Sequence, residues 1–133
     1  MRISGSAGAQ PLVLLPGLTT SSLSWTPHIA SLSAQCRTYA MDCNGDAGRS
    51  ICTKPMADSS DLAGWLDELF TALDLAGKIN LMGLSYGGYL AALYGLHFPS
   101  RLRKTVLLAP GEILRARPRK TPAGCGGAGE AVG

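Results

Sequence analysis

Long apolar runs are missing from this 133-residue chain. No stretch reaches the roughly 18 consecutive apolar residues that a membrane-spanning helix needs, so no such helix is expected. Residues 1–10 hold one arginine and no apolar segment behind it, which makes a poor secretory leader. Cysteine is sparse and unpatterned. Cys36, Cys43, Cys52 and Cys125 show no CxxC spacing and no histidine pairing. That speaks against a metal site and a disulfide framework, and for reduced thiols in a cytoplasmic protein. Histidine is scarcer still, with only His28 and His97. Charged residues make up 16% of the chain, and their signs are unevenly placed. Residues 1–100 carry five Lys/Arg against seven Asp/Glu, whereas 101–133 carry seven against two. The basic cluster Arg115, Arg117, Arg119 and Lys120 has no aromatic residue beside it, so no nucleic-acid partner is expected.

What is present is 46% hydrophobic residues, enough for one domain with a sizeable core. Its most informative stretch is Ile79 to Tyr89. Ile79–Leu84 is a short apolar run that fits a buried strand. Gly83-Leu84-Ser85-Tyr86-Gly87 is a G-x-S-x-G pentapeptide, and an apolar helical run starts at Tyr86. A strand that turns into a helix within so few residues forces the central serine into a strained backbone conformation. The residues two before and two after it approach closely, so both must lack a side chain. Such a turn lifts the Ser85 hydroxyl off the sheet. The first N–H groups of the following helix have no helical partner and suit developing negative charge.

In this context the pentapeptide resembles the nucleophile elbow of the α/β-hydrolase superfamily, in its serine esterase/lipase-like branch. The resemblance extends over roughly residues 10 to 113. It implies an α/β fold with a central parallel sheet, helices on both faces, and equivalents of family strands three to six. It further implies Ser85 as nucleophile, Gly83 and Gly87 as elbow glycines, and the Tyr86 N–H as one oxyanion donor. Leu12–Leu15 reads as a strand stopped by Pro16-Gly17. By the same resemblance, the backbone N–H of Leu18 is the second donor.

The rest of the pattern fits. A helix is expected over 25–34, with Ser24 as a cap candidate and Trp25, Ile29 and Leu32 on one face. His28 lies off that stripe and reads as a surface residue. A strand is expected over 37–41, followed by a loop in which Asp42 and Asp46 read as backbone-bonding carboxylates and not as catalytic acids. The strongest helix starts near 58, capped by Ser59 or Ser60. It presents Leu62, Trp65, Leu66, Leu69, Phe70 and Leu73 along one stripe and ends at Gly77. After the elbow helix, which Pro99 ends, a buried strand is expected over 105–109. The domain layout is a flexible or edge-strand segment 1–10, a partial hydrolase domain 11–114, and a disordered basic, Gly/Ala-rich tail 115–133.

The expected chemistry is incomplete. Serine acyl transfer needs a base, an orienting acid and oxyanion donors. The resemblance puts acid and histidine after the nucleophile. His97 is the only histidine there, and three helical turns hold it roughly 18 Å from Ser85. No base is therefore identified, and Glu112 is the candidate acid. The expected function is a serine hydrolase of small ester-like substrates, weak or inactive as it stands and without metal or organic cofactor. A non-catalytic binding module or a truncated gene fragment, ending after the sixth family strand, is the alternative. The strands 37–41 and 104–109 would be open sheet edges, which predicts self-association.

Overall fold

The computed structural model describes residues 1–43, 58–75 and 77–111. Glu112, Asp46, Cys52, Cys125 and the expected tail 115–133 lie outside the described residues. Five strands form one sheet: β1 (Arg2–Ser4), β2 (Pro11–Leu15), β3 (Arg37–Ala40), β4 (Ile79–Leu84) and β5 (Leu102–Leu108). Their order is β1-β3-β2-β4-β5. Pairing is parallel from β3 to β5, and β1 alone runs antiparallel, against β3. Helices α1 (Thr26–Ser33), α2 (Ser59–Ala72) and α3 (Tyr86–His97) lie between successive parallel strands, as parallel neighbours require.

β2 explains why its sequence does not alternate. Leu12 and Leu14 pack in a cluster with Trp25, Ala40 and, at its margin, Ile29 and Leu32 of α1. Val13 and Leu15 point the other way, into a cluster with Leu66 and Phe70 of α2 and Leu90, Ala91 and Tyr94 of α3. Both sheet faces are covered there, so every position from Leu12 to Leu15 is buried. Asp67 ties the helices of the second face together. It accepts a 2.8 Å hydrogen bond from the Tyr94 hydroxyl and faces Arg101 Nε at 3.2 Å.

Several boundaries differ from the sequence reading. The first helix is divided: Ser22–Trp25 is a 3₁₀ turn, and Pro27 opens α1 behind it. The Ser21 hydroxyl caps that turn in place of Ser24, accepting from Leu23 N at 3.3 Å. Asp58, not Ser59 or Ser60, caps α2, because its carboxylate reaches both Ser60 N (2.8 Å) and Asp61 N (3.0 Å). The helix also stops before Gly77. Asp74 takes a left-handed φ of 56°, Asp74 N donates to Thr71 O and Leu75 N to Phe70 O. That is the paired closure of a Schellman ending, with buried Leu75 and Phe70 as its apolar pair. The strand edge expected at 37–41 is covered by β1, the short edge strand allowed for within 1–10. β5 begins at Leu102, and its apolar residues are exposed where the sequence pattern pointed to burial. Among the described residues it is the terminal strand of the sheet, with no neighbour on its outer side.

Candidate functional site

In a parallel sheet the loops after the strands gather at one edge, where open α/β folds bind ligands. Here those loops are 16–20 after β2, 41–43 after β3, Ser85 after β4 and 109–111 after β5. Ser85 is the single residue between β4 and α3, and its side chain is exposed. Its backbone has φ 52° and ψ −113°, outside the ordinary helical and extended regions. The neighbouring backbone holds that conformation in place. Ser85 N donates to Leu108 O at 2.9 Å, while Ser85 O accepts from Tyr89 N and Gly111 N, both at 3.1 Å. The turn is thus fastened to its own helix and to the end of β5.

The glycines around it have separate reasons. A Cβ on Gly83 would fall on the carbonyl of Gly87 and within 2.6 Å of Gly88 N. A Cβ on Gly87 would strike the Leu15 carbonyl and come within 2.6 Å of Pro16 O. Gly83 therefore admits the start of α3, and Gly87 admits β2. Two more glycines line the serine. A Cβ on Gly17 would lie 3.6 Å from Ser85 Cβ, and one on Gly111 would lie 3.7 Å from Ser85 Oγ. The signal that could have found them is the Pro-Gly pair that ends both flanking strands, Pro16-Gly17 and Pro110-Gly111.

Leu18 follows Gly17 in the loop beside Ser85 and is exposed, and Tyr86 is the first residue of α3. Both backbone N–H groups thus belong to segments that border the serine. His97 ends α3, at the opposite end from Ser85, and its Nδ1 lies 3.1 Å from Leu93 O. His28 is exposed on α1, with its ring edge-on to Trp25 at 6.5 Å. Asp42 is buried. Its carboxylate accepts from Ser22 N at 2.8 Å and pairs with the Met1 ammonium at 2.8 Å. Burial alone would raise its pKa, but hydrogen bonds from the Met1 ammonium and Ser22 outweigh it and hold it at about 2. Among the described residues no three His, Cys, Asp or Glu side chains are grouped to hold a metal ion, and no helix is long and apolar enough to cross a membrane.

Known proteins share this fold. Residues 10–123 match the family described as the alpha/beta hydrolase fold. The chain is 39% identical over 109 residues to the uncharacterized carboxylesterase nap of Bacillus subtilis, covering 82% of this chain and 36% of that protein. It is 36% identical over 104 residues to the rat (Rattus norvegicus) 1-acylglycerol-3-phosphate O-acyltransferase ABHD5, covering 75% of this chain and 29% of that one. The crystal structure of carboxylesterase CesB (YbfK) from Bacillus subtilis superposes with a TM-score of 0.79 at 39% identity, over 81% of this chain and 38% of that chain. The chain therefore spans little more than a third of the length of these carboxylesterases.

Proposed function

The chain belongs to the alpha/beta hydrolase fold family, and from that premise we propose that it carries the nucleophile portion of a serine hydrolase site for small carboxylic-ester-like substrates. Ser85 is the nucleophile, and the Leu18 and Tyr86 backbone N–H groups are the oxyanion donors. The observation that carries this reading is the left-handed backbone of an exposed serine at the junction of β4 and α3. A β-hydroxyl residue adopts such a conformation at a cost of about 1–3 kcal/mol, and strain of this kind concentrates at functional sites.

In the reaction, the Ser85 Oγ–carbonyl bond forms and the carbonyl oxygen becomes an oxyanion facing the two N–H groups. Collapse breaks the bond to the alcohol, which leaves with a proton, and water then cleaves the acyl-serine ester. The serine proton must go somewhere; His97 ends α3 at the far end from Ser85 and His28 packs on Trp25, which supports the reading that neither takes it. Turnover by this chain alone is therefore weak or absent, carried by the oxyanion donors without a base. The positions of His28 and His97 also favour a second reading, a module that binds an ester-like ligand without turning it over. The cysteine spacing supports a cytoplasmic setting for either.

A fluorophosphonate probe separates the two. Phosphonylation moves the serine oxygen onto phosphorus and expels fluoride, with the proton lost to solvent. The expected result is slow labelling of the folded chain that vanishes in Ser85→Ala. Labelling that survives the substitution would remove Ser85 from its role, and silence of a folded chain would favour the binding module.

Self-association is part of the same proposal. Among the described residues β5 pairs with no strand but β4, and Val106, Leu107 and Leu108 are about 40% exposed at that edge. A second copy pairing antiparallel about Thr105 would set Arg103 and Lys104 against Leu107 and Val106, so no like charges oppose one another. Sedimentation should show concentration-dependent dimers or larger species, and Val106→Lys with Leu108→Lys should shift the chain to monomer. A wild type that stays monomeric at high concentration would rule this pairing out.

A further inference from the structure

We propose that Thr20 is a positioning residue for the oxyanion donor at Leu18, an inference that rests on the serine-hydrolase reading above. The Gly17 carbonyl oxygen accepts from the Thr20 hydroxyl at 2.7 Å and from Thr20 N at 3.3 Å. That carbonyl belongs to the same peptide unit as the Leu18 N–H. The described residues include no cis peptide bond, and in a planar trans unit the N–H points opposite to the C=O. Holding Gly17 O from one side therefore aims Leu18 N–H to the other.

The segment is a tight turn from Gly17 to Thr20, closed by the Thr20 N to Gly17 O bond. Thr19, its third residue, has a left-handed φ of 60°, a position that normally selects glycine. A β-branched residue is strained there. The backbone bond is long, so a second, shorter bond from a side chain to the same oxygen keeps the strained turn closed. The turn also touches the nucleophile. A Cβ added to Gly17 would lie 3.6 Å from Ser85 Cβ and 3.7 Å from Thr20 Oγ1. Gly17 thus sits beside both the serine and the threonine hydroxyl. Rotating its carbonyl away from Thr20 would rotate the donor of Leu18 relative to Ser85 Oγ.

Thr20→Val removes the hydroxyl with little change of shape, and Thr20→Ser keeps it. Two measurements on each variant test the role. The first is the order parameter of the Leu18 N–H from nitrogen-15 relaxation. We expect a rigid value, about 0.85, in wild type and Thr20→Ser, and a value below about 0.6 in Thr20→Val. The second is phosphonylation of Ser85, with expected maximal labelling about tenfold slower in Thr20→Val, near normal in Thr20→Ser, and half-saturating probe concentration unchanged. Complete loss of a donor costs more than this, about 100-fold or above, so misaiming one sits below that ceiling. A Leu18 N–H that stays rigid in Thr20→Val overturns the proposal. So does a serine variant as impaired as the valine variant. Absence of labelling in wild type would count against Ser85 as an active nucleophile. The relaxation data would still decide whether Thr20 holds the Leu18 peptide.

Discussion

Replacing Gly87 by alanine is expected to prevent folding or to lower stability by at least about 3 kcal/mol, while Gly64→Ala raises it by up to about 1 kcal/mol. Both are glycine-to-alanine changes within helices, so helix propensity disfavours neither. Their surroundings decide the sign. A Cβ on Gly64 meets nothing within 4 Å, whereas one on Gly87 meets the Leu15 carbonyl carbon at 2.6 Å and Pro16 O at 2.6 Å. Those atoms are backbone of the last residue of the central strand β2 and of the residue after it, and β2 is buried on both faces and paired to β3 and β4. They cannot turn aside as the tip of a side chain could. Relief requires α3 to move off the sheet, opening its packing through Leu90, Ala91 and Tyr94. A native domain has only about 5–15 kcal/mol in reserve, so a loss of this size is a large part of the whole. Urea unfolding of both variants is the check. A Gly87→Ala midpoint equal to wild type would mean that α3 is not seated on β2 as closely as described. The change also bears on the site, because Ser85 is the residue before α3 and moves with it.

The centre of this fold was legible because local pattern and tertiary role agree there. The apolar run 79–84 and the helical run from Tyr86 to His97 coincide with β4 and α3, since one face of β4 is buried and the other is half-buried, so apolar residues suit both. The elbow glycines stood out because their spacing is a steric requirement. Other features had no local signature. Arg2–Ser4 is poor strand sequence, and it is ordered by pairing with β3, a contact nearly 40 residues away. The end of α2 at Asp74 depends on two capping hydrogen bonds that aspartate tolerates almost as asparagine does, so the glycine three residues later misled. The exposure of β5 follows from its place in the strand order, which its own seven residues do not encode. At the site, Gly17 and Gly111 were visible as turn residues, but their contact with Ser85 comes only from bringing three strand ends together.

Acid should destabilise the protein in part through Asp42. In the folded chain its carboxyl titrates at about 2, against 3.8 for the unperturbed group. A depressed carboxylate pKa means that the unfolded chain binds the proton more readily. The stabilisation is therefore complete above pH about 4 and is lost as pH falls through about 2. The size of the shift corresponds to about 2 kcal/mol. Asp42→Ala at neutral pH should cost somewhat more, about 3 kcal/mol, because it also leaves the Ser22 N–H without its 2.8 Å acceptor and the Met1 ammonium without its partner. The two donors can be separated. Acetylating the α-amine removes the ammonium and leaves the Ser22 bonds, so the acid transition should move up toward the unperturbed carboxylate value with only part of the stability lost. Thermal unfolding between pH 2 and 7 for wild type, Asp42→Ala and the acetylated chain tests each step. The contribution attributed to Asp42 is wrong if Asp42→Ala shows the same drop below pH 4 as wild type. If acetylation changes nothing, Ser22 alone holds the carboxylate, and the first strand is anchored by its pairing with β3 and not by its charge.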